Sequence, residues 1–288
     1  VTVEVRLATR RSALALAQAR SVGRCLEQAH GDRVRVVLVE IDSTGDLDRT
    51  SPVAALTEMG AFVRSVQAAL LDGRADAAVH SLKDLPTGQP DGLVPIAFPE
   101  RADPWDAIIG STIDGLAPGA LVGTGSPRRV AQLKILRPDL RTGELRGNVD
   151  TRIAKVTRGE VDAALLAVAG LQRLDLTGAI SEVLGIEAMV PAPGQGVIVV
   201  ESRPDGEAAD VLRAIDDPTT RILAEAERML LFETGAGCRS ALGALATIEG
   251  ASIRLDAFVD DERGPRRTMI VGDSSNAVVA DARKELGL

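Results

Sequence analysis

The sequence predicts an α/β fold, with two doubly wound α/β lobes followed by a small C-terminal α+β domain. Short, dense aliphatic runs alternate with stripes of 3.6-residue period through the first two thirds, as in β/α units on a mostly parallel sheet. Proline and glycine cluster at residues 86–99 and again at Pro191-Ala192-Pro193-Gly194, as expected where a chain leaves one domain and returns to it. After Asp217-Pro218 the pattern changes to one helix, alternating strands and a closing helix.

The elements follow in order. Residues 3–9 read as a strand rather than a signal peptide. Ser12 can cap a helix whose apolar face is Leu14, Ala17, Val22, Cys25, Leu26 and Ala29. Residues 34–41 form a buried parallel strand. Residues 43–60 are long and weakly patterned, which marks a functional lid or a mobile segment. Phe62, Val66 and Leu70 stripe a helix, and residues 75–81 form the next strand. In the second lobe, strands are expected at 107–110, 121–124, 140–145 and 162–168, with helices at 127–136 and 149–158. The strand at 197–200 returns to the first lobe. Two lobes joined by two crossovers would place a ligand cleft between them. The domain boundaries are 1–97 with 192–215, then 98–191, then 216–288.

Composition narrows the function. Aromatics supply only 2% of the 288 residues, so the core is aliphatic. No apolar run reaches the roughly 20 residues of a membrane span. The net charge of −8 argues against binding nucleic acid through bulk charge. Cys25 and Cys238 fit neither a disulfide framework nor a zinc spacing, so a reducing cytoplasm is the expected compartment and no metal is expected.

Against that acidic background, arginines gather where strands turn into helices. Gly123-Thr124-Gly125-Ser126-Pro127-Arg128-Arg129 sets two cations in a first helical turn, where the helix dipole disfavours them unless an anion is present. Arg146-Gly147-Asn148-Val149-Asp150-Thr151-Arg152 repeats the layout, and Arg6, Arg10 and Arg11 extend it to the first lobe. Arginine's planar fork suits carboxylates or phosphates. Asp84 follows a strand end, the usual place for a catalytic group, although Lys83 and His80 compete with it on position alone. Cys25 sits on an apolar face. Cys238, after Gly235-Ala236-Gly237 and beside Arg239, suits either a reactive thiol or a turn residue.

Taken together, these motifs resemble the porphobilinogen deaminase family over nearly the whole chain. The landmarks are Arg6-Leu7-Ala8-Thr9-Arg10 with Ser12 and Gln18, Val79-His80-Ser81-Leu82-Lys83-Asp84, and Asp103-Pro104 with Asp106-Ala107. They continue through Arg128-Arg129, Arg146-Gly147-Asn148-Val149, Leu166 to Leu171, Pro191 to Gly196 and Gly237-Cys238. The resemblance implies two hinged lobes of the type II periplasmic-binding-protein kind and a third domain. It implies a dipyrromethane cofactor joined to Cys238 by a thioether and contacted by Lys83, Asp84, Ser126, Arg128, Arg129 and Arg146. Substrate contacts would come from Arg10, Arg11, Ser12, Phe62, Arg146, Arg152, Arg173 and Gln195. Asp84 would be the catalytic carboxylate in coupling four porphobilinogen units into hydroxymethylbilane, by a cytoplasmic monomer without nucleic-acid or membrane partners.

The chain departs from the family's pattern in places. Ala55 and Met59 stand where lysines are common, Pro127 where leucine is, and Trp105 where a basic residue is usual. A two-lobed binding protein for small anions would share the cleft and arginines but need neither Cys238 nor Asp84.

Overall fold

Strands β1 (Val3–Arg10), β2 (Val34–Ile41), β3 (Ala77–Ser81) and β4 (Val94–Ala97) alternate with helices α1 (Ala13–His30) and α2 (Ala61–Leu71) in the first part of the chain. The protein was examined as a computed structural model that describes residues 2–42, 61–235 and 241–288. A second series follows: β5 (Asp106–Ile109), β6 (Leu121–Gly123), α3 (Pro127–Leu136), β7 (Arg141–Gly143), α4 (Val149–Thr157), β8 (Ala163–Ala167), α5 (Val168–Arg173) and β9 (Ile180–Leu184). Strand β10 (Ile198–Ser202) and helix α6 (Glu207–Arg213) come next. Helix α7 (Pro218–Glu233), strands β11 (Ala241–Glu249), β12 (Ser252–Asp261) and β13 (Gly264–Gly272), and helix α8 (Ser275–Leu286) complete the chain. Two compact units result, Val1–Arg101 with Val197–Arg221 and Ala102–Gly196 with Ile222–Leu288.

The first unit holds a five-stranded sheet in the order β2-β1-β3-β10-β4. β1 runs parallel to β2 and β3, whereas the returning β10 is antiparallel to β3 and β4. Strand alternation gives the sheet two apolar faces. Val5, Leu7, Val79 and Val200 pack with Leu26 of α1 and Leu212 of α6. Ala8 and Ala78 pack on the other side with Val66 and Leu70 of α2.

Ser12 caps α1, its Oγ accepting from the Ala15 N–H at 3.3 Å. The buried face of α1 is rotated from the expected one. Ala15, Gln18, Ala19, Val22 and Leu26 point inward, and Ala29 is exposed. Gln18 can be buried because its amide donates to Ser81 Oγ at 2.7 Å. Arg6, expected at the ligand rim, lies within β1 and forms a two-pronged pair with Asp76, which holds that carboxyl below its ordinary range against the opposing effect of burial.

The second unit holds a sheet in the order β7-β6-β8-β5-β9, with β6 parallel to β7 and β8 and with β5 antiparallel to both its neighbours. Ile108, Val122 and Leu165 face Leu133 of α3, while Ala107, Ile109 and Leu166 face Val149 and Ile153 of α4. Trp105 joins this second cluster, which gives it a packing role. Strands β11-β12-β13 form an antiparallel meander covered by α7 and α8 through Leu223, Leu230, Leu255 and Val278. Phe258 on its other face meets Ala131 of α3 and Val190. Among the described residues no helix is long and apolar enough to cross a membrane.

A carboxylate lies at the centre of this unit. Asp106 opens β5 and is fully buried. Arg128 Nη1 donates to Asp106 Oδ2 at 2.7 Å and to Val190 O at 2.7 Å. Arg129 donates from Nε and Nη2 to Asp106 Oδ1 at 2.9 and 2.6 Å, and from Nη1 to Leu165 O at 2.8 Å. Gln195 adds a bond to Oδ1 at 3.1 Å and one to Pro104 O at 2.7 Å. Burial alone would raise the Asp106 carboxyl, but the two guanidinium charges overcome it and hold the group far below the usual carboxylate range.

Two outcomes are expected. The folded protein binds the Asp106 proton only at a lower pH than the unfolded chain does. Its contribution is therefore complete above the ordinary aspartate value of about 3.9 and is lost as pH falls below it. Asp106→Asn should cost roughly 3–5 kcal/mol by leaving two buried cations without a counter-charge. Denaturant titrations from neutral to acid pH should show a shallower loss of stability in the variant. Gly196, at φ +87°, has no room for a Cβ, which would collide with Ala102 O. Gly196→Ala should cost about 3 kcal/mol, the upper end for a forced left-handed residue, read by the same titrations.

Candidate active site

Parallel strands bring their C-terminal ends to one edge of a sheet, and each unit uses that edge to present polar side chains. In the first unit β1 and β3 are parallel neighbours, with Leu7 opposite Ala77. Their ends therefore place Arg10, Arg11 and Ser12 on the same edge as Ser81, Lys83 and Asp84. Beyond β3 the chain makes a 3-10 turn, Leu82–Asp84. The Leu82 N–H donates to Val197 O at 3.0 Å, the Leu85 N–H donates to Leu82 O at 3.1 Å, and both leucine side chains are buried. Apolar anchors on either side of it thus push Asp84 outward. Its side chain is exposed and makes no hydrogen bond or ion pair with the described residues.

Arg11 is exposed and already paired, with Asp42 at 2.7 Å and Glu40 at 3.6 Å. The Ser12 hydroxyl is engaged as the cap of α1.

In the second unit β6, β7 and β8 end on a common edge. Ser126 stands at the start of α3, half-buried, with no hydrogen bond from its side chain to the helix it precedes. Arg146 lies between β7 and α4 and donates from Nε and Nη2 to Glu144 Oε1 at 3.0 and 2.9 Å. Gly147, at φ +107°, makes the turn that follows, and its carbonyl accepts from Arg152 Nε at 2.8 Å. A side chain at Gly147 would strike Thr151 in the first turn of α4.

Arg173, in the last turn of α5, differs from both. It donates from Nη2 to Gly196 O at 2.7 Å and pairs with no carboxylate among the described residues. Burial pushes its guanidinium down to about 10. Burying a cation without a paired anion is costly.

Three expected contacts are turned inward. Arg128, Arg129 and Gln195 are buried on Asp106, so the anion that the α3 helix start calls for is supplied by the chain itself. Burying them is affordable only with that internal partner. The buried Nε of Arg128 has no hydrogen-bond partner among the described residues. Arg173 and Ser126 are half-buried rather than enclosed. Cys238, Ala55, Met59 and the side chain of Phe62 lie outside the described residues. Cys25 is a half-buried free thiol packed against the first unit's core.

Comparison with known proteins bears on this arrangement directly. A sequence model of the family described as "Porphobilinogen deaminase, dipyromethane cofactor binding domain" matches residues 5–210. The chain is 44% identical over 268 residues to the porphobilinogen deaminase of Acidothermus cellulolyticus, covering 90% of this chain and 80% of that protein. It is also 44% identical to the enzymes of Roseiflexus sp. strain RS-1, covering 94% and 91%, and of Thermobifida fusca, covering 97% and 85%. Among solved structures it is similar to the periplasmic VFT2 domain of Bordetella pertussis BvgS, at 14% identity and a TM-score of 0.43 over 74% of this chain and 86% of that one. A TRAP periplasmic solute-binding protein from Pseudomonas putida F1 gives 11% identity and a TM-score of 0.42 over 81% and 82%. The sequence matches carry the assignment: this chain belongs to the porphobilinogen deaminase family.

Proposed function

We propose that this chain is a transferase that deaminates porphobilinogen and joins four units head to tail, releasing hydroxymethylbilane and ammonia. Asp84 carries the reading within the family match, because an exposed carboxylate just beyond β3 is left with no partner among the described residues. A group held by buried anchors and left unsatisfied suits a ligand that presents N–H donors. Asp84 accepts from pyrrole N–H groups and stabilises positive charge that develops on the ring as ammonia departs. It also relays protons, one to the leaving amine and one from the carbon that forms the new bond.

A dipyrromethane attached to Cys238 supplies the primer, keeping the growing chain on the protein so that each coupling is effectively intramolecular. Ser126, Arg128, Arg146 and Arg173 bind its acetate and propionate groups, together with Lys83. Arg10, Arg11, Ser12 and Arg152 serve the incoming and growing chain, with Phe62 and Gln195 beside them. Arg129 acts with Arg128 by fixing Asp106. Residues 1–97 with 192–215, 98–191 and 216–288 are read as three functional domains of a cytoplasmic monomer.

Two measurements test this reading. Intact mass of freshly purified protein should exceed the chain mass by two pyrrole units. The excess should vanish in Cys238→Ala and persist in Cys25→Ala. An unmodified thiol in active wild-type protein would sink the tether. Asp84→Ala should keep the adduct but lose roughly 10²–10³ in kcat, as when an electrostatic stabiliser is removed. Normal turnover in that variant would remove Asp84 from the mechanism.

A further inference from the structure

Three polar side chains from three elements meet inside the first unit, away from its rim. Glu201 of β10 is fully buried, and His80 of β3 and Gln67 of α2 are more than nine-tenths buried. The antiparallel register sets His80 opposite Val199 and Ala78 opposite Glu201, so His80 and Glu201 are diagonal neighbours on one face of the sheet. Gln67 Nε2 donates to both Glu201 oxygens, at 3.2 and 2.9 Å. His80 Nε2 stands 3.1 Å from Glu201 Oε2 but out of line for a hydrogen bond, with no other partner among the described residues.

A carboxylate at this depth costs stability, and an aliphatic side chain would fill the space with less penalty. What such a cluster can add is a unique arrangement of the elements it joins. Here those elements are β3 and β10, the strands that carry Asp84. The turn after β3 is itself held to the start of β10, through Leu82 N–H and Val197 O. Because the Asp84 carboxylate has no partner among the described residues, its position follows from the backbone of that turn. A slip of one residue between the two strands would reverse every side chain on the face. An interlock of His80 with Glu201 penalises such a slip.

We propose that His80, Glu201 and Gln67 form a positioning cluster that locks β3 against β10 and thereby fixes the Asp84 carboxylate for the reaction. The inference rests on the role given above to Asp84. None of the three touches the reacting atoms.

The test is steady-state kinetics with thermal melting on the full chain loaded with its pyrrole cofactor. Glu201→Gln and His80→Leu should each lower kcat about tenfold and leave KM within about twofold, with the folded and loaded fraction unchanged. His80→Gln, whose amide nitrogen takes the place of Nε2, should recover most of the loss. The double variant His80→Leu/Glu201→Gln should be no slower than the slower single, as expected for groups that act as a unit. Wild-type kcat in the single variants, alongside an inactive Asp84→Ala, overturns the cluster's role and leaves Asp84 in place. An active Asp84→Ala overturns the reading beneath it. Losses that multiply in the double variant, or that track only the unfolded fraction, reduce the cluster to packing. Should the His80→Leu and Glu201→Gln variants fail to fold, Gln67→Leu is decisive, because an unchanged kcat there also overturns the proposal.

Discussion

Burying Asp106 at the head of β5 is tolerable only because two guanidinium groups and one amide close around it, and much of the second unit is arranged to bring them there. Arg128 and Arg129 arrive from the first turn of α3, and Gln195 comes from the loop before β10. The same guanidinium groups reach carbonyls of Val190 and Leu165, which ties that loop and β8 to the one carboxylate. Removing any member would leave a buried charge short of partners, so the node behaves as a unit.

The first unit treats its principal carboxylate in the opposite way. Asp84 stands outside the core with no partner among the described residues, and the order around it comes from groups that do not touch it: two buried leucines, a strand pairing and the amide of Gln18 on Ser81. A carboxylate that is already paired must break bonds before it can serve a ligand. One that is positioned but unpaired can act on charge as it develops, without that prior cost.

Much of this was legible in the residues. Alternation of aliphatic runs with helical stripes located β1, β2, β3, β6 and β8, and the proline-rich crossings separated the two series. Ser12 and Pro127 marked helix starts that the structure contains. Four elements escaped notice. β4 has four residues, α5 six, β9 five and α6 seven, too short for periodicity to separate from loop. The face of α1 was misread because Gln18 is polar, and burial there depends on a partner 63 residues away. The α3 arginines show the limit most clearly. Two cations in a first helical turn correctly implied an anion, but local sequence cannot say whether it is a ligand or Asp106. The available hint was a charged residue opening the apolar run Ala107-Ile108-Ile109, since such a residue is seldom buried unpaired.

That distinction also divides the arginines of an acidic protein by what they can offer a ligand rich in carboxylates. Arg11 and Arg146 are held by Asp42 and Glu144 in exposed pairs. Such pairs are worth about 0–1 kcal/mol, so an incoming carboxylate can take the place of the protein's own at little cost. Arg128 and Arg129 cannot exchange partners without unmaking a core. Arg173 is partly desolvated without a carboxylate partner among the described residues, which lowers its guanidinium. Local binding of several carboxylates is thus compatible with a net charge of −8.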